Sequence, residues 1–133
     1  MDFSEFGVKA DHIGYAVNDL DRISDFYASL GFSLGPVEDV PSLRQRMRII
    51  EKDGLKIEFL APYDGTRAGI QHTAYICRDI DGAFAHAKES GCIIAVPVTR
   101  FGNRRFFFFS DPEGCYVEFM EYDAKETMFV KKI

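Results

Sequence analysis

Laid over itself at a shift of 60 positions, the 133-residue chain matches itself without a gap, residues 11–40 falling on residues 71–100. His12 meets His72, Tyr15 meets Tyr75, Asp19 meets Asp79, Asp21 meets Asp81 and Gly31 meets Gly91. Farther along, Gly54 falls on Gly114, Glu58 on Glu118 and Phe59 on Phe119. A repeat constrains a fold more than any local propensity, because each copy must be the same supersecondary unit with a face it cannot bury alone.

Each copy parses the same way. Residues 12–17 alternate like a strand. Asp19 is placed to cap a helix whose Leu20, Ile23, Tyr27 and Leu30 recur at helical spacing until Gly31 stops it. Strands follow near 33–40, 45–51 and 55–61, with Asp53-Gly54 as a hairpin turn between the last two. The second copy gives a strand at 71–77, a helix at 79–90 with Ile80, Ala83, Phe84 and Ala87 inward, and strands near 93–98, 105–110 and 115–121. The expected architecture is α+β, two tandem βαβββ modules spanning about 8–61 and 69–122 of one domain covering residues 1–133. A link at 61–70 joins them, and a tail, 123–133, has no counterpart. His86 falls off the inward helix stripe and is expected at the surface.

Alternation also sorts the faces. Ile13, Tyr15 and Val17 form the bulky face of the first strand, which leaves His12 among Gly14 and Ala16. Ile57 and Phe59 turn Glu58 the other way, as Val117 and Phe119 turn Glu118. Two imidazoles and two carboxylates thus project from equivalent strands, each Glu following its His by the same interval. Burying two carboxylates without a counter-charge costs several kcal/mol. A divalent cation removes that cost, and imidazole with carboxylate suits Ni, Zn, Co, Mn or Fe.

The rest of the chain narrows the function classes. With a net charge of −5, there is no footprint for nucleic acid, and no apolar run reaches the length of a membrane span. Without a signal-like N-terminus, and with three cysteines that show no paired spacing, the expectation is a cytoplasmic protein with free thiols. The phenylalanine run at 106–109 and the unmatched tail offer apolar surface for a homodimer.

The segments 11–21, 71–81 and 110–121, Asp-His-Ile-Gly-Tyr-Ala-Val-Asn-Asp-Leu-Asp, Gln-His-Thr-Ala-Tyr-Ile-Cys-Arg-Asp-Ile-Asp and Ser-Asp-Pro-Glu-Gly-Cys-Tyr-Val-Glu-Phe-Met-Glu, resemble the vicinal-oxygen-chelate superfamily of glyoxalases, bleomycin-resistance proteins and dioxygenases. The resemblance implies a half-open β-barrel with flanking helices, and one divalent ion (Ni, Zn, Co or Mn) on His12, Glu58, His72 and Glu118. It implies an isomerase or lyase of the glyoxalase I type acting on a small molecule, with Glu118 and Glu58 moving a proton alpha to a carbonyl that the metal polarises. Ala16 and Pro62 stand where bacterial glyoxalase I holds glutathione through an Arg and an Asn. Arg67-Ala-Gly-Ile-Gln-His72 and Gly102-Asn-Arg104 instead resemble methylmalonyl-CoA epimerase, with Arg48 aligned to that family's additional catalytic Glu. Arg48, Asn103, Arg104 and Phe108 are the implied substrate contacts. Arg44, Arg46 and Arg48 align with Arg104, Phe106 and Phe108. A drug-sequestering protein of the bleomycin-resistance type is the non-enzymatic alternative.

Overall fold

The computed structural model describes residues 2–65 and 69–123. The chain divides into two compact units, residues 12–72 and residues 1–11 with 73–133. The divisions fall inside strands β1 (Lys9–Ala16) and β5 (Gly69–Ile76).

In the unit of residues 12–72, β1 leads into α1 (Leu20–Ser29), then β2 (Ser33–Val40), β3 (Gln45–Lys52) and β4 (Leu55–Pro62). The strands lie in the order β2-β3-β4-β1, with β1 parallel to β4 and the other pairs antiparallel. The Asp19 side chain accepts from the Arg22 amide at 3.0 Å, a helix N-cap. Gly31, at φ 101°, ends the helix in a conformation that favours glycine. Leu20, Ile50, Ile57 and Phe59 form the core beneath α1, with Tyr15, Ile23, Tyr27 and Phe32 packed against it. Ile50 pairs with Ile57 across β3 and β4, so this face holds the core and the intervening Glu58 points away.

The other unit repeats the plan with α2 (Ile80–Glu89), β6 (Ile94–Phe101), β7 (Arg104–Ser110) and β8 (Tyr116–Tyr122), the strands ordered β5-β8-β7-β6. Ile80, Ala83 and Ala87 of α2 are fully buried with Phe107, Phe109 and Phe119. An N-terminal arm with a single 3-10 turn (Ser4–Phe6) covers this helix. The Arg78 amide donates to the Phe6 carbonyl at 2.8 Å, and the Phe3 ring stacks on Phe109 at 5.7 Å. His86, expected at the surface, is instead tucked under this arm, edge-on to Phe3 at 4.9 Å. A helical stripe sees only its own periodicity and not an arm that returns from elsewhere in the chain.

The hairpin before the last strand differs between the two copies. Asp53 and Gly54 alone turn β3 into β4, both at positive φ (51° and 86°), whereas residues 111–115 turn β7 into β8. Glu58 therefore stands opposite Ile49, while Glu118 stands opposite Phe108. A one-residue slip in a strand reverses every side chain. The equivalence of Arg44, Arg46 and Arg48 with Arg104, Phe106 and Phe108 therefore fails. Arg48 pairs with Phe59 on the core face, away from Glu58, and its Nε donates to the Gly35 carbonyl at 2.8 Å. Of the tail, residues 124–133 lie outside the described residues, as does Arg67 of the linker. Among the described residues no helix is long and apolar enough to cross a membrane, and all three cysteines are free.

Candidate metal centre

Three of the four expected donors converge within residues 12–72. His12 comes from β1, Glu58 from the middle of β4 and His72 from the start of β5. The two imidazole Nε2 atoms lie 3.1 Å apart, and each is 3.7 Å from Glu58 Oε1. Parallel pairing of β1 with β4 sets Gly14 beside Glu58, so His12, two residues before Gly14, projects from the same face as Glu58.

The third wall exists because residue 14 has no side chain. A Cβ on Gly14 would come within 2.1 Å of the His72 ring, so the imidazole lies across the space a side chain would fill. The φ angle at Gly14 is not of the left-handed kind, so the demand for glycine there is purely steric. The Nδ1 of His72 is hydrogen-bonded to the Gln71 amide oxygen. Because a carbonyl oxygen only accepts, Nδ1 carries the proton and the Nε2 lone pair is turned toward His12 and Glu58. Burial, with the charge of His12 second, pushes the His72 imidazolium down to about 4, so the ring is neutral near pH 7.

These properties fit a divalent cation. Metal–ligand bonds of about 2.0–2.2 Å put neighbouring donors ~2.8–3.1 Å apart in octahedral geometry and ~3.3–3.6 Å apart in tetrahedral geometry. The observed separations of 3.1 and 3.7 Å approach these edge lengths before any contraction around an ion. The Glu58 side chain is only 14% exposed, so its carboxylate faces the two imidazoles with little water to stabilise it. A doubly charged ion answers that arrangement better than a proton does.

The remaining candidates sit in the other unit. Glu118 is buried at the centre of β8, opposite Phe108, with Phe106 and Arg104 on the same face by register. The Arg104 guanidinium lies over the Phe101 and Tyr122 rings at 5.4 and 6.0 Å, and its buried Nε has no hydrogen-bond partner among the described residues. Asn103 occupies the two-residue turn between β6 and β7, where its carbonyl accepts from the Asp123 amide. Sequence reasoning did not single out Gln71, although its place beside His72 was a signal, nor the steric role of Gly14.

The sequence pattern of the Glyoxalase/Bleomycin resistance protein/Dioxygenase superfamily matches residues 9–119. The chain belongs to that superfamily. The match runs from the start of β1 to Phe119 and so includes all four candidate donors. No curated protein matches this superfamily member. Among solved structures, a hypothetical protein from Bacillus halodurans C-125 superposes with a TM-score of 0.74 at 28% identity, over 88% of this chain and 96% of that one. A methylmalonyl-CoA epimerase from Mycobacterium tuberculosis gives 0.72 at 25% identity, over 90% and 91%. A Streptomyces coelicolor methylmalonyl-CoA epimerase variant in complex with 2-nitronate-propionyl-CoA gives 0.71 at 23% identity, over 87% and 95%, which speaks to the fold alone. These superpositions bear out the glyoxalase-type α+β fold.

Proposed function

We propose that this chain is a divalent-metal-dependent isomerase or lyase that moves a proton on the carbon next to a carbonyl. The observation that carries the reading is the convergence of His12, Glu58 and His72 within 3.7 Å at a buried point. Glu118 is the proposed fourth donor, by its repeat equivalence with Glu58 and its burial on β8. A bound divalent ion would polarise a substrate carbonyl and stabilise the charge that develops on its oxygen. The protein's own part is to hold and move the proton. Glu118 is the proposed base, with Glu58 as its symmetric partner in the repeat. Neutral His72, fixed by Gln71, binds the ion without competing for that proton. Arg104, held on aromatic rings and short of a partner at Nε, is the proposed cation for a substrate carboxylate or phosphate. Phe108, opposite Glu118, would exclude water beside the base.

Two substrate classes follow. The likeness to an epimerase at 25% identity, together with Ala16 and Pro62, favours an acyl-CoA thioester. The carboxylate at position 58 completes the His-Glu-His-Glu order of glyoxalase I and favours a glutathione hemithioacetal. Arg48 is not carried forward, since its side chain lies on the core face.

Solvent deuterium exchange into methylmalonyl-CoA and into the hemithioacetal of methylglyoxal, with Zn or Ni protein, separates these readings. Exchange into one of them by the wild type, abolished in Glu118→Gln, is the expected result. Exchange that survives in Glu118→Gln removes Glu118 as the base. No exchange into either substrate by metal-loaded protein would favour a binding protein of the bleomycin-resistance type.

A further inference from the structure

The phenylalanine run at 106–109 divides between the two faces of β7, and only half of it is core. Phe107 and Phe109 are buried with Ile80, Ala83 and Ala87 of α2. Phe106 and Phe108 are half-buried on the other face, where they stand opposite Met120 and Glu118 of β8. Their rings meet edge to face at 5.8 Å, and Phe108 meets Tyr116 the same way at 6.3 Å. At the far end of this face Arg104 stands opposite Tyr122. Within this one unit, an aromatic row thus leads from a buried carboxylate to a guanidinium.

That guanidinium differs from its neighbours. Arg100 is held by both carboxylate oxygens of Asp123 at 3.1 and 3.2 Å, and Arg105 by both of Asp81 at 3.1 Å. Among the described residues no carboxylate pairs with Arg104, and its Nε is buried without a hydrogen-bond partner. The rings of Phe101 and Tyr122, at 5.4 and 6.0 Å, hold it in place. Rings attract a cation without neutralising it, and a planar fork of N–H donors suits a carboxylate. A buried donor without an acceptor is costly, so an arriving carboxylate gains by charge and by hydrogen bond together.

The spacing says what kind of molecule brings it. Along β7, Arg104 is four residues from Phe108, the neighbour of Glu118, which at about 3.4 Å per residue is ~13–14 Å. An extended chain covers that span in roughly twelve bonds, the length of four residues. A carboxylate attached directly to a carbon beside Glu118 is far too close to reach Arg104. The residues between, Phe106, Phe108 and Met120, are apolar and favour hydrocarbon over an amide-bearing linker. We propose that the substrate carries a terminal carboxylate about twelve bonds from the carbon that exchanges its proton, joined to it by an apolar spacer lying on Phe106 and Phe108. The class is an ω-carboxyacyl thioester or the matching ketone, and Arg104 is the residue that reads its length. This rests on Glu118 as the base of the proposed reaction.

Acyl thioesters of N-acetylcysteamine carry no phosphate, so a terminal carboxylate is their only anion. A series of increasing chain length, each member paired with a methyl-terminated twin, is titrated into metal-loaded full-length protein by calorimetry. At the matching length the carboxylated member should bind roughly 10–100-fold tighter than its twin, and at half that length no tighter. Arg104→Gln should abolish the advantage, and Arg104→Lys, a point charge without the fork, should keep part of it. Twins of equal affinity at every length overturn the proposal, as does an advantage that survives Arg104→Gln. A methyl-terminated CoA thioester whose binding falls as far in Arg104→Gln overturns it too, by giving Arg104 to the CoA phosphates. Deuterium exchange at the alpha carbon is read on the same samples. Length-selective binding without exchange upholds the carboxylate subsite and removes the proton transfer, while exchange indifferent to chain length and end group does the reverse.

Discussion

Replacing Gly14 with alanine adds one methyl group at the tightest contact of the metal centre. That methyl would sit 2.1 Å from Cε1 and Nδ1 of His72 and 2.7 Å from its Nε2. Carbon contacts relax near 3.5 Å, so ring and strand must separate by ~1.4 Å. β1 cannot supply that movement cheaply, because Ile13 to Ala16 are held in register with Ile57 to Leu60. The ring must move instead, and coordination distances tolerate only about ±0.2 Å. His72 is then lost as a donor, which should weaken metal binding by at least the ~10–100-fold typical of disturbing a ligand's support, about 1.4 to 2.7 kcal/mol. Overpacking should also cost the metal-free protein roughly 1–3 kcal/mol. Titration calorimetry of apo protein with Zn or Ni measures the first effect and urea unfolding the second. A cycle with His72→Ala isolates the cause: once the ring is gone, Gly14→Ala should cost almost nothing further. Wild-type metal affinity in Gly14→Ala, or an equal stability loss in the His72→Ala background, would refute the steric account.

Purified protein should carry about one divalent ion per chain, and metal at 100 times its Kd should add ~2.7 kcal/mol of stability; unchanged melting on metal addition counts against the site. Arg48→Ala should leave metal affinity and KM unaltered and cost about 1 kcal/mol through the lost bond to Gly35, read by urea unfolding. Burial, with Glu121 second, pushes the Cys77 thiol up to about 11. Between pH 9 and 11 the unfolded thiol has lost its proton while the folded one keeps it, so this residue's contribution to stability falls as pH rises. At pH 8 Cys77 should resist iodoacetamide in native protein, and rapid labelling without unfolding would contradict its burial. Light scattering at tens of micromolar should report a dimer, and a monomeric mass would leave the exposed apolar residues to another purpose.

Most of the architecture was legible because the repeat tests each element twice. The helix cap at Asp19 is confirmed by Asp79, and the strand carrying Glu58 by that carrying Glu118. The convergence of His12, Glu58 and His72 was likewise visible in the alternation of small and bulky residues on β1. What failed was the ungapped shift past the hairpins. The turn at 111–115 is longer than the Asp53-Gly54 turn, and parity rather than similarity decides which face Arg48 joins. The covering arm was illegible for a different reason. Phe3 and Phe6 have no period of their own, and they owe their place to Arg78 and His86, some eighty residues later.

His12 and His72 are neighbours at 3.1 Å and strangers by 60 residues of chain. An ion that grips both is therefore a buckle as well as a reagent: it ties the two ends of the first repeat into a ring. For a cross-link closing a loop of that length, chain entropy alone is worth about 4 kcal/mol. An ion at this point would thus couple the integrity of a whole repeat to metal supply. Starved of metal, the molecule would lose a strap on half its backbone together with its chemistry, and clearance of the slack chain would follow the metal status of its surroundings.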